Sequence, residues 1–220
     1  MAGERGFGLA PDRVAWIAGQ IAAAHRQGNE LGVVIGGGNI LRGVDAASVG
    51  VPPLVADQMG MIATVLNALA LRAALEESGV PARAMSAFPV GRFIELFERE
   101  AALNYVSHGT VVIFAGGTGN PCFTTDTTAA LRAVEIEAEV VVKGTQVRGV
   151  FDKDPRRFSD AVFFETISFQ EVLERRLGVI DAACVEILSR REIPIVVCDL
   201  QVEGNIAGIL AGEKIGTVIA

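Results

Sequence analysis

Residues 110–126 of the 220-residue chain read TVVIFAGGTGNPCFTTD. The uninterrupted apolar run TVVIFA is followed at once by a glycine-rich loop, and then by threonines and an aspartate that open a helical pattern. Strands that helices cover on both faces read as continuous apolar runs rather than as alternating ones. The segment therefore predicts a buried strand, a loop and a helix, which is the repeating unit of an α/β fold.

The same alternation of short apolar runs with helical patterns continues along most of the chain. The predicted strands are residues 31–35, 82–88, 110–115, 139–143 and 194–200. The predicted helices are residues 12–27, 54–78, 96–107, 125–137, 169–175 and 182–191, with Asp12 as N-cap of the first helix and Ser168 in a capping box with Glu171. Repeated strand–helix units join parallel strands by right-handed crossovers. The fold predicted is α/β, a three-layer αβα sandwich with a mostly parallel central sheet.

The domain organisation predicted is a single domain of two lobes. No low-complexity linker divides the chain, and a softer boundary lies near residues 145–160, where Gly, Asp, Lys, Arg and Pro cluster. A length of 220 residues suits one sizeable core or two lobes. We expect lobes of about residues 1–140 and 141–220.

Composition restricts the class of protein. Half of the residues are hydrophobic, 20% are charged and the net charge is −7. These values exclude a disordered chain and disfavour nucleic acid as the main partner. Gly, Asn or charged residues interrupt the apolar runs before the ~20 residues that a membrane span needs, and no signal-peptide pattern opens the chain. We expect a cytoplasmic protein that binds neither membrane nor nucleic acid.

Cysteine and histidine do not form the patterns of a metal site or a catalytic triad. Cys122, Cys184 and Cys198 are odd in number and contain no C-x-x-C pair, which predicts free thiols in a reducing compartment. His25 and His108 lie in segments that read as polar helix ends. A triad or metal centre built on histidine is therefore disfavoured.

The first loop with chemical potential is GGGN, residues 36–39, directly after the strand LGVVI. Glycines at the carboxyl end of a parallel strand let backbone N–H groups approach an anion closely. The loop matches neither the Walker A pattern nor a full G-x-G-x-x-G, and a plain tight turn explains it equally well. Arg42 adds a cation that could pair with phosphate oxygens.

The second loop, residues 116–126, follows the strand TVVIFA and opens a helix. Its glycines, threonines and asparagine supply donors at a helix N-terminus, where the helix dipole favours an anion. Asp126 has two readings: a residue that charges or caps the first helical turn, or a carboxylate that orients Mg²⁺ or a lysine beside a transferring phosphate. The density of donors around it favours the functional reading.

The third loop, residues 143–155, also follows a predicted strand. Phe151 could stack on a base, while Thr145 and Asp154 could bond to base or ribose. The alternative is a solvated turn with Phe151 in the core.

Two further aspartates have both a structural and a functional reading. Asp57 lies early in the helix that follows Pro52 and Pro53. It is either a first-turn residue or an acceptor for ribose hydroxyls. Asp181 begins the helix 182–191 and reads first as an N-cap.

All three loops follow predicted strands at their carboxyl ends. In a parallel sheet these ends lie along one edge, so the loops can converge on one crevice. This convergence predicts a nucleotide site.

The loops, in this order, resemble those of the bacterial UMP kinase (uridylate kinase) family of the amino-acid kinase superfamily. The segments that carry the resemblance extend over essentially the whole chain: VVIGGGNILRG (33–43), VADQMGMIATVLNALALR (55–72), GTGNPCFTTDTTAALRA (117–133), EIEAEVVVKGTQVRGVFDKDP (135–155) and GEKIGTVI (212–219). The resemblance implies the amino-acid kinase fold and Mg²⁺-dependent phosphoryl transfer from ATP to UMP, which gives ADP and UDP in pyrimidine nucleotide biosynthesis. It also implies a homohexamer with GTP and UTP as effectors.

The resemblance also implies a role for each site residue. The residues expected to contact UMP, mostly in the first lobe's loops, are Gly37, Asp57, Thr118, Gly119, Asn120, Pro121, Cys122, Phe123, Thr124 and Thr125. The residues expected to contact ATP are Gly38, Arg42, Thr145, Phe151 and Asp154. Asp126 would organise the reacting phosphates and the metal, with Asp181 in support. Mg²⁺ would be carried by ATP, without a direct protein ligand.

The chain departs from the family at its beginning. The family opens with a strand and a K-x-S-G turn whose lysine and amides hold ATP phosphates, whereas residues 1–8 match the stretch just after that turn. We therefore expect an N-terminally truncated version of the fold, and a non-catalytic nucleotide-binding or storage protein is the alternative function. A related kinase with a carboxylate or carbamate acceptor is a further alternative, against which the T-G-N-P-x-F-T-T-D loop argues. Arg148 stands where the family usually has an acidic or small polar residue, and Cys122 where the residue is more often aromatic.

Overall fold

The computed structural model describes residues 1–2, 6–41 and 50–220. The chain divides into two compact units, Met1–Thr128 and Ala129–Ala220, and each unit contains helices and its own four-stranded sheet. The expected α/β fold with parallel strands at its centre is confirmed, and the strands are divided between these two sheets.

The first unit contains a fully parallel sheet in the order β1-β4-β2-β3. Its strands are β1 (Gly32–Val34), β2 (Ala82–Ser86), β3 (Glu95–Leu96) and β4 (Val111–Ala115). Its helices are α1 (Pro11–Arg26), α2 (Pro53–Glu77), α3 (Arg99–Ser107) and the start of α4 (Thr125–Glu135), within which the boundary between the units falls.

Strand β4 is buried along its whole length because both of its faces are covered. Alternate residues of a strand point to opposite faces. Val111 and Ile113 pack into one core with Leu71 and Leu75 of α2. On the other face, the ring of Phe114 meets that of Phe97 edge-on at 5.7 Å. The continuous apolar run therefore has the burial that it predicts.

The second unit has a mixed sheet in the order β5-β9-β10-β8 and a separate two-stranded ribbon, β6-β7. The strands are β5 (Val141–Thr145), β6 (Val150–Phe151), β7 (Phe163–Phe164), β8 (Thr166–Ile167), β9 (Ile195–Asp199) and β10 (Thr217–Ile219). The helices are α5 (Phe169–Glu174), α6 (Ala182–Ser189) and α7 (Asn205–Leu210). Strand β10 runs antiparallel to β9 and parallel to β8.

Strand β9 shows the same two-sided burial in this unit. Ile195 and Val197 join a core with residues of α4, α5 and α6, whereas Val196 and Cys198 pack with Ile209 of α7. Helices thus cover both faces of the sheet, as the three-layer prediction requires.

All of the predicted strands and helices are present. Strand β5 lies two residues later than predicted, so Thr145 is its last residue rather than part of the loop that follows, and two helix starts also need correction. Asp12 is not the N-cap of α1. The cap is Ala10 and Pro11 begins the helix, because proline lacks the N–H that a helix start leaves unpaired. The helix predicted from residue 96 begins at Arg99, because the Glu98 carboxylate accepts from the N–H groups of residues 100 and 101 and so caps it. Ser168 caps α5 as predicted, accepting from Glu171 N.

Helix α2 is long and apolar enough, by length and composition alone, to cross a membrane. Its most apolar 18-residue window has a mean hydropathy of 1.5. One face of the helix is buried in the first unit, where Ala68, Leu71 and Leu75 are fully enclosed. Such burial is typical of the core helix of a folded domain.

Candidate nucleotide site

Two of the predicted loops meet at one edge of the first unit's sheet. Strands β1 and β4 are neighbours and run parallel, so the loops that follow them leave from the same edge. A cavity of about 300 Å³ lies between these loops and the first turns of α2. Ligand pockets for small molecules begin at about this size.

The cavity contains most of the residues expected to bind the acceptor nucleotide. Residues named from sequence that line it are Gly37, Gly38, Asp57, Asn120, Pro121, Phe123, Thr124 and Thr125. Gly117 lines the cavity as part of the predicted second loop. Sequence reasoning missed a second group, which is Val34, Ile35, Leu41, Ala56, Gly60, Met61, Thr64 and Thr128. The members from α2 could have been found from helical spacing, since residues 60, 61 and 64 lie three, four and seven positions after Asp57 and share its face.

The first glycine loop packs directly on helix α2. A Cβ atom at position 37 would stand 2.4 Å from the carbonyl oxygen of Gly60 and 2.9 Å from the Cβ of Ala63. At Gly38 the same construction meets nothing within 4 Å. The chain therefore needs glycine at position 37 for close approach.

The two glycine loops also approach each other. A Cβ atom at Gly36 would lie 3.1 Å from Oγ1 of Thr125, at the start of α4. In the second loop Gly116 and Gly117 have left-handed φ values of 78° and 60°, which side chains rarely tolerate.

Asp57 links α2 to the tip of the second loop. Its Oδ2 accepts a hydrogen bond from the backbone N–H of Cys122 at 2.8 Å. Cys122 itself has a left-handed φ of 70° and an exposed side chain. Cys122, Thr118 and Gly119 shape the loop but do not line the cavity. The Thr118 hydroxyl, for example, bonds to the backbone of Asn120.

The N-terminus of helix α4 borders the cavity. The Thr124 hydroxyl accepts from the N–H groups of Asp126 and Thr127 at 3.1 and 3.3 Å and so caps the helix. Asp126 lies in the first turn, half-buried, and does not line the cavity.

The described lining of the cavity offers an anion backbone donors rather than cationic side chains. Among the lining residues that the structure describes, none is lysine or arginine and Asp57 carries the single charge. Within the described lining, the groups that favour an anion are the backbone amides and the dipole of α4. Arg42, the cation predicted from sequence, lies outside the described residues.

The residues expected to bind ATP on the third loop belong to the second unit. The Thr145 hydroxyl bonds to the carbonyl of Val147 at 2.6 Å within its turn. Asp154 accepts from the N–H of Arg156 at 3.0 Å. Phe151 is half-buried, and its ring centroid lies 5.3 Å from that of Phe163. Each side chain thus has a structural partner in its own loop or ribbon.

Two other predicted positions in the second unit have clear local contacts. Asp181 is the N-cap of α6, accepting from Cys184 N at 2.8 Å, as its first reading predicts. The Arg148 guanidinium lies 3.9 Å from the ring centroid of Phe163, in a cation–π contact. Arg148 therefore packs against the β6-β7 ribbon through this ring.

The described residues contain no group of three or more His, Cys, Asp or Glu side chains arranged to hold a metal ion. Asp126 is a single carboxylate beside the helix N-terminus. It suits a metal that arrives with the phosphates of a nucleotide and brings most of its own oxygen ligands.

Comparison with known proteins defines the class. A model of the amino acid kinase family matches residues 5–199. Because this match covers most of the chain, the protein belongs to the amino acid kinase family.

Within that family the chain is similar to uridylate kinases, as its loops predicted. It is 47% identical over 211 residues to the uridylate kinase of Cereibacter sphaeroides, covering 96% of this chain and 86% of the relative. It is 46% identical over 214 residues to that of Campylobacter jejuni, covering 97% and 90%. The crystal structure of UMP kinase from Bacillus anthracis matches with a TM-score of 0.95 at 31% identity, covering 99% of this chain and 90% of that one.

The contrast between Gly37 and Gly38 gives a direct test of the loop packing. Neither residue has a left-handed backbone, so alanine is conformationally allowed at both positions. Gly37→Ala must displace the backbone of α2 and should lower the free energy of unfolding by about 1–3 kcal/mol. Gly38→Ala should change it by less than about 0.5 kcal/mol. Urea unfolding of both variants measures the difference, and equal stabilities would contradict the packing described.

Proposed function

We propose that the protein is a UMP kinase, which transfers the terminal phosphoryl group of ATP to UMP and releases UDP and ADP. The supporting observation is the cavity that is lined by the GGGN loop (residues 36–39), the second loop (residues 116–126) and Asp57. The similarity of the chain to uridylate kinases over most of its length supports the same substrate pair.

The acceptor would be held mainly by backbone groups and one carboxylate. The UMP phosphate would lie near the amides of Gly37 and the N-terminus of α4, with Thr125 beside it. Asp57 uses Oδ2 to hold Cys122 N, and its Oδ1 would accept from a ribose hydroxyl. The exposed ring of Phe123, which lines the cavity, offers a surface for the base.

ATP would be held by Gly38, Arg42, Thr145, Phe151 and Asp154, as the resemblance implies. Mg²⁺, bound through the ATP phosphates, would neutralise charge during transfer. Asp126 would orient the reacting groups, while Asp181 would support them through the start of α6. Such a reaction depends on positioning and charge stabilisation, and needs no covalent nucleophile.

We further propose that the protein acts in the cytoplasm, in pyrimidine nucleotide biosynthesis, as a homohexamer that responds to GTP and UTP. An exposed apolar stripe on α2 supports self-association. Val55, Met59, Ile62 and Leu66 are spaced by four, three and four residues and are between 41% and 55% exposed. This spacing is that of a helix–helix seam.

The apolar stripe suits a second copy of the same helix. Two such helices can pair antiparallel about a twofold axis that crosses them at the level of residue 64. Ile62 of one copy would then contact Leu66 of the other, and Met59 would contact the half-buried Leu69. A twofold interface requires such a self-complementary surface.

The acceptor specificity can be tested by measuring ADP release with UMP, CMP, AMP and no acceptor. We expect the highest turnover with UMP. Asp57→Ala should raise the UMP KM about tenfold or more, because a charge-assisted hydrogen bond contributes ~1.5–3 kcal/mol. Asp12→Ala, an aspartate in the first turn of α1, is the matched control and should leave the KM unchanged. Preference for another acceptor would refute the substrate; UMP binding without turnover would indicate a storage protein.

The apolar stripe can be tested by sedimentation velocity. Replacing Ile62 and Leu66 together by Glu should give species of lower mass, because charges cannot be buried in an apolar seam without a large cost. Val202→Glu, at a residue in the second unit that is 51% exposed, serves as the control and should keep the wild-type mass. An unchanged mass for the double variant would exclude the stripe as an interface.

A further inference from the structure

Helix α2 presents two buried polar side chains to the backbone of the two glycine loops. Thr64 is 6% exposed and Asn67, one turn later, is fully buried. Buried polar groups must be hydrogen-bonded, since an unpaired one costs about 1–3 kcal/mol. Their partners lie on the loops that border the cavity, 28 to 52 positions away in sequence.

Asn67 holds the first glycine loop at both of its ends. Its Nδ2 donates to the carbonyl oxygen of Gly36 at 2.7 Å and to Oδ1 of Asn39 at 2.6 Å. Asn39 returns a bond from its own Nδ2 to Oδ1 of Asn67 at 2.9 Å. The two amides therefore form a reciprocal pair that spans Gly37 and Gly38, and neither amide lines the cavity.

The loop is anchored from the opposite side through Asn39. The Nδ2 of Asn39 donates to the carbonyl oxygen of Gly8 at 2.9 Å, and the backbone carbonyl oxygen of Asn39 accepts from Gly8 N at 2.6 Å. The amide pair thus connects α2, the glycine loop and the segment before α1. A side chain bonded in this way has little freedom to adopt another rotamer.

Thr64 holds the second glycine loop. Its Oγ1 accepts from the N–H of Gly116 at 2.7 Å and donates to the carbonyl of Met61 at 2.6 Å. Gly116 has a left-handed backbone, and a Cβ atom there would lie within 3.0 Å of Ser86 and Phe88. The hydroxyl therefore fixes the first residue of a loop that has little room to shift.

We infer that Thr64 and Asn67 are positioning residues of the acceptor site. One turn of α2 holds Gly36 and Gly116, and so sets the distance between the two rows of backbone amides that meet the acceptor phosphate. This inference rests on the proposed function, because it assumes that UMP occupies the cavity. It assigns acceptor affinity to Asn67, which lies outside the cavity lining, and to Thr64, which lines the cavity but engages its hydroxyl with Gly116 N and the Met61 carbonyl.

Asn67→Asp tests the first contact, with the UMP dissociation constant from calorimetry as the readout. The carboxylate cannot donate to Gly36 O, so we expect UMP to bind at least about tenfold more weakly, a loss of ~1.4 kcal/mol. Asn29→Asp is the matched control, since Asn29 Nδ2 donates to the carbonyl of Ala24 at 2.9 Å, away from both loops. It should lower the melting temperature and leave UMP affinity within about twofold.

The amide pair can be tested as a unit by a double-mutant cycle. If Asn39 and Asn67 act together, the Asn39→Ala and Asn67→Ala double variant should weaken UMP binding no more than the stronger single variant does. Additive losses would show that the two amides act separately and would contradict the pair.

Thr64 offers a test with a conservative rescue. Thr64→Val keeps the shape and removes the hydroxyl, and should weaken UMP binding by about tenfold because Gly116 N loses its partner. Thr64→Ser keeps the hydroxyl and should bind UMP within about twofold of the wild type. A purely structural role would give two variants that differ in melting temperature and agree in UMP affinity.

The outcomes separate this inference from the proposed function. A wild-type protein that binds no UMP refutes the function itself. A wild-type protein that binds UMP, together with folded Asn67→Asp and Thr64→Val variants of unchanged affinity, refutes the inference alone. Should Asn67→Asp fail to fold, the Val and Ser variants of Thr64 decide the question.

Discussion

The candidate site depends on one close contact, in which the backbone of Gly37 lies against helix α2. A Cβ atom at this position would stand 2.4 Å from the carbonyl oxygen of Gly60, so the loop can pack this closely on the helix only if residue 37 is glycine. This approach brings the GGGN loop beside Asp57, Gly60 and Thr64. The second loop, residues 116–126, lies on the other side of the same cavity, because β1 and β4 are parallel neighbours.

Backbone donors then explain how a chain with a net charge of −7 can suit a phosphorylated ligand. The described lining of the cavity carries no lysine or arginine. Glycines permit close approach of N–H groups, and the start of α4 adds the favourable end of a helix dipole. The outer face of α2 carries the exposed apolar stripe, so a single helix serves both the cavity and the proposed subunit contact.

Much of this could be predicted from sequence because the signals are local. The run TVVIFA has two buried faces, and a strand of that kind reads as apolar throughout. The loops after β1 and β4 followed from the parallel order of strands. The roles of Thr64 and Asn67 could not be predicted in this way, because their hydrogen-bond partners lie 52 and 31 positions away in sequence. Without those partners, the role of a polar residue in an apolar helix cannot be inferred from local sequence. The predicted start of α1 was wrong for a local reason: the helix begins at Pro11, which is favoured in the first turn, and Asp12 lies inside the helix.

The central claim is that UMP occupies the cavity of the first unit, and alkylation of the Cys122 thiol, on the loop that borders the cavity, tests it. Cys122 is exposed between Pro121 and Phe123, which line the cavity, whereas Cys184 and Cys198 are buried. Burial and, to a lesser extent, the charge of Asp199 raise the pKa of the Cys198 thiol to about 11, which keeps it unreactive at neutral pH. Alkylation by iodoacetamide, followed by mass spectrometry, should therefore modify Cys122 first. The account predicts that saturating UMP slows this modification severalfold; an unchanged rate would contradict it.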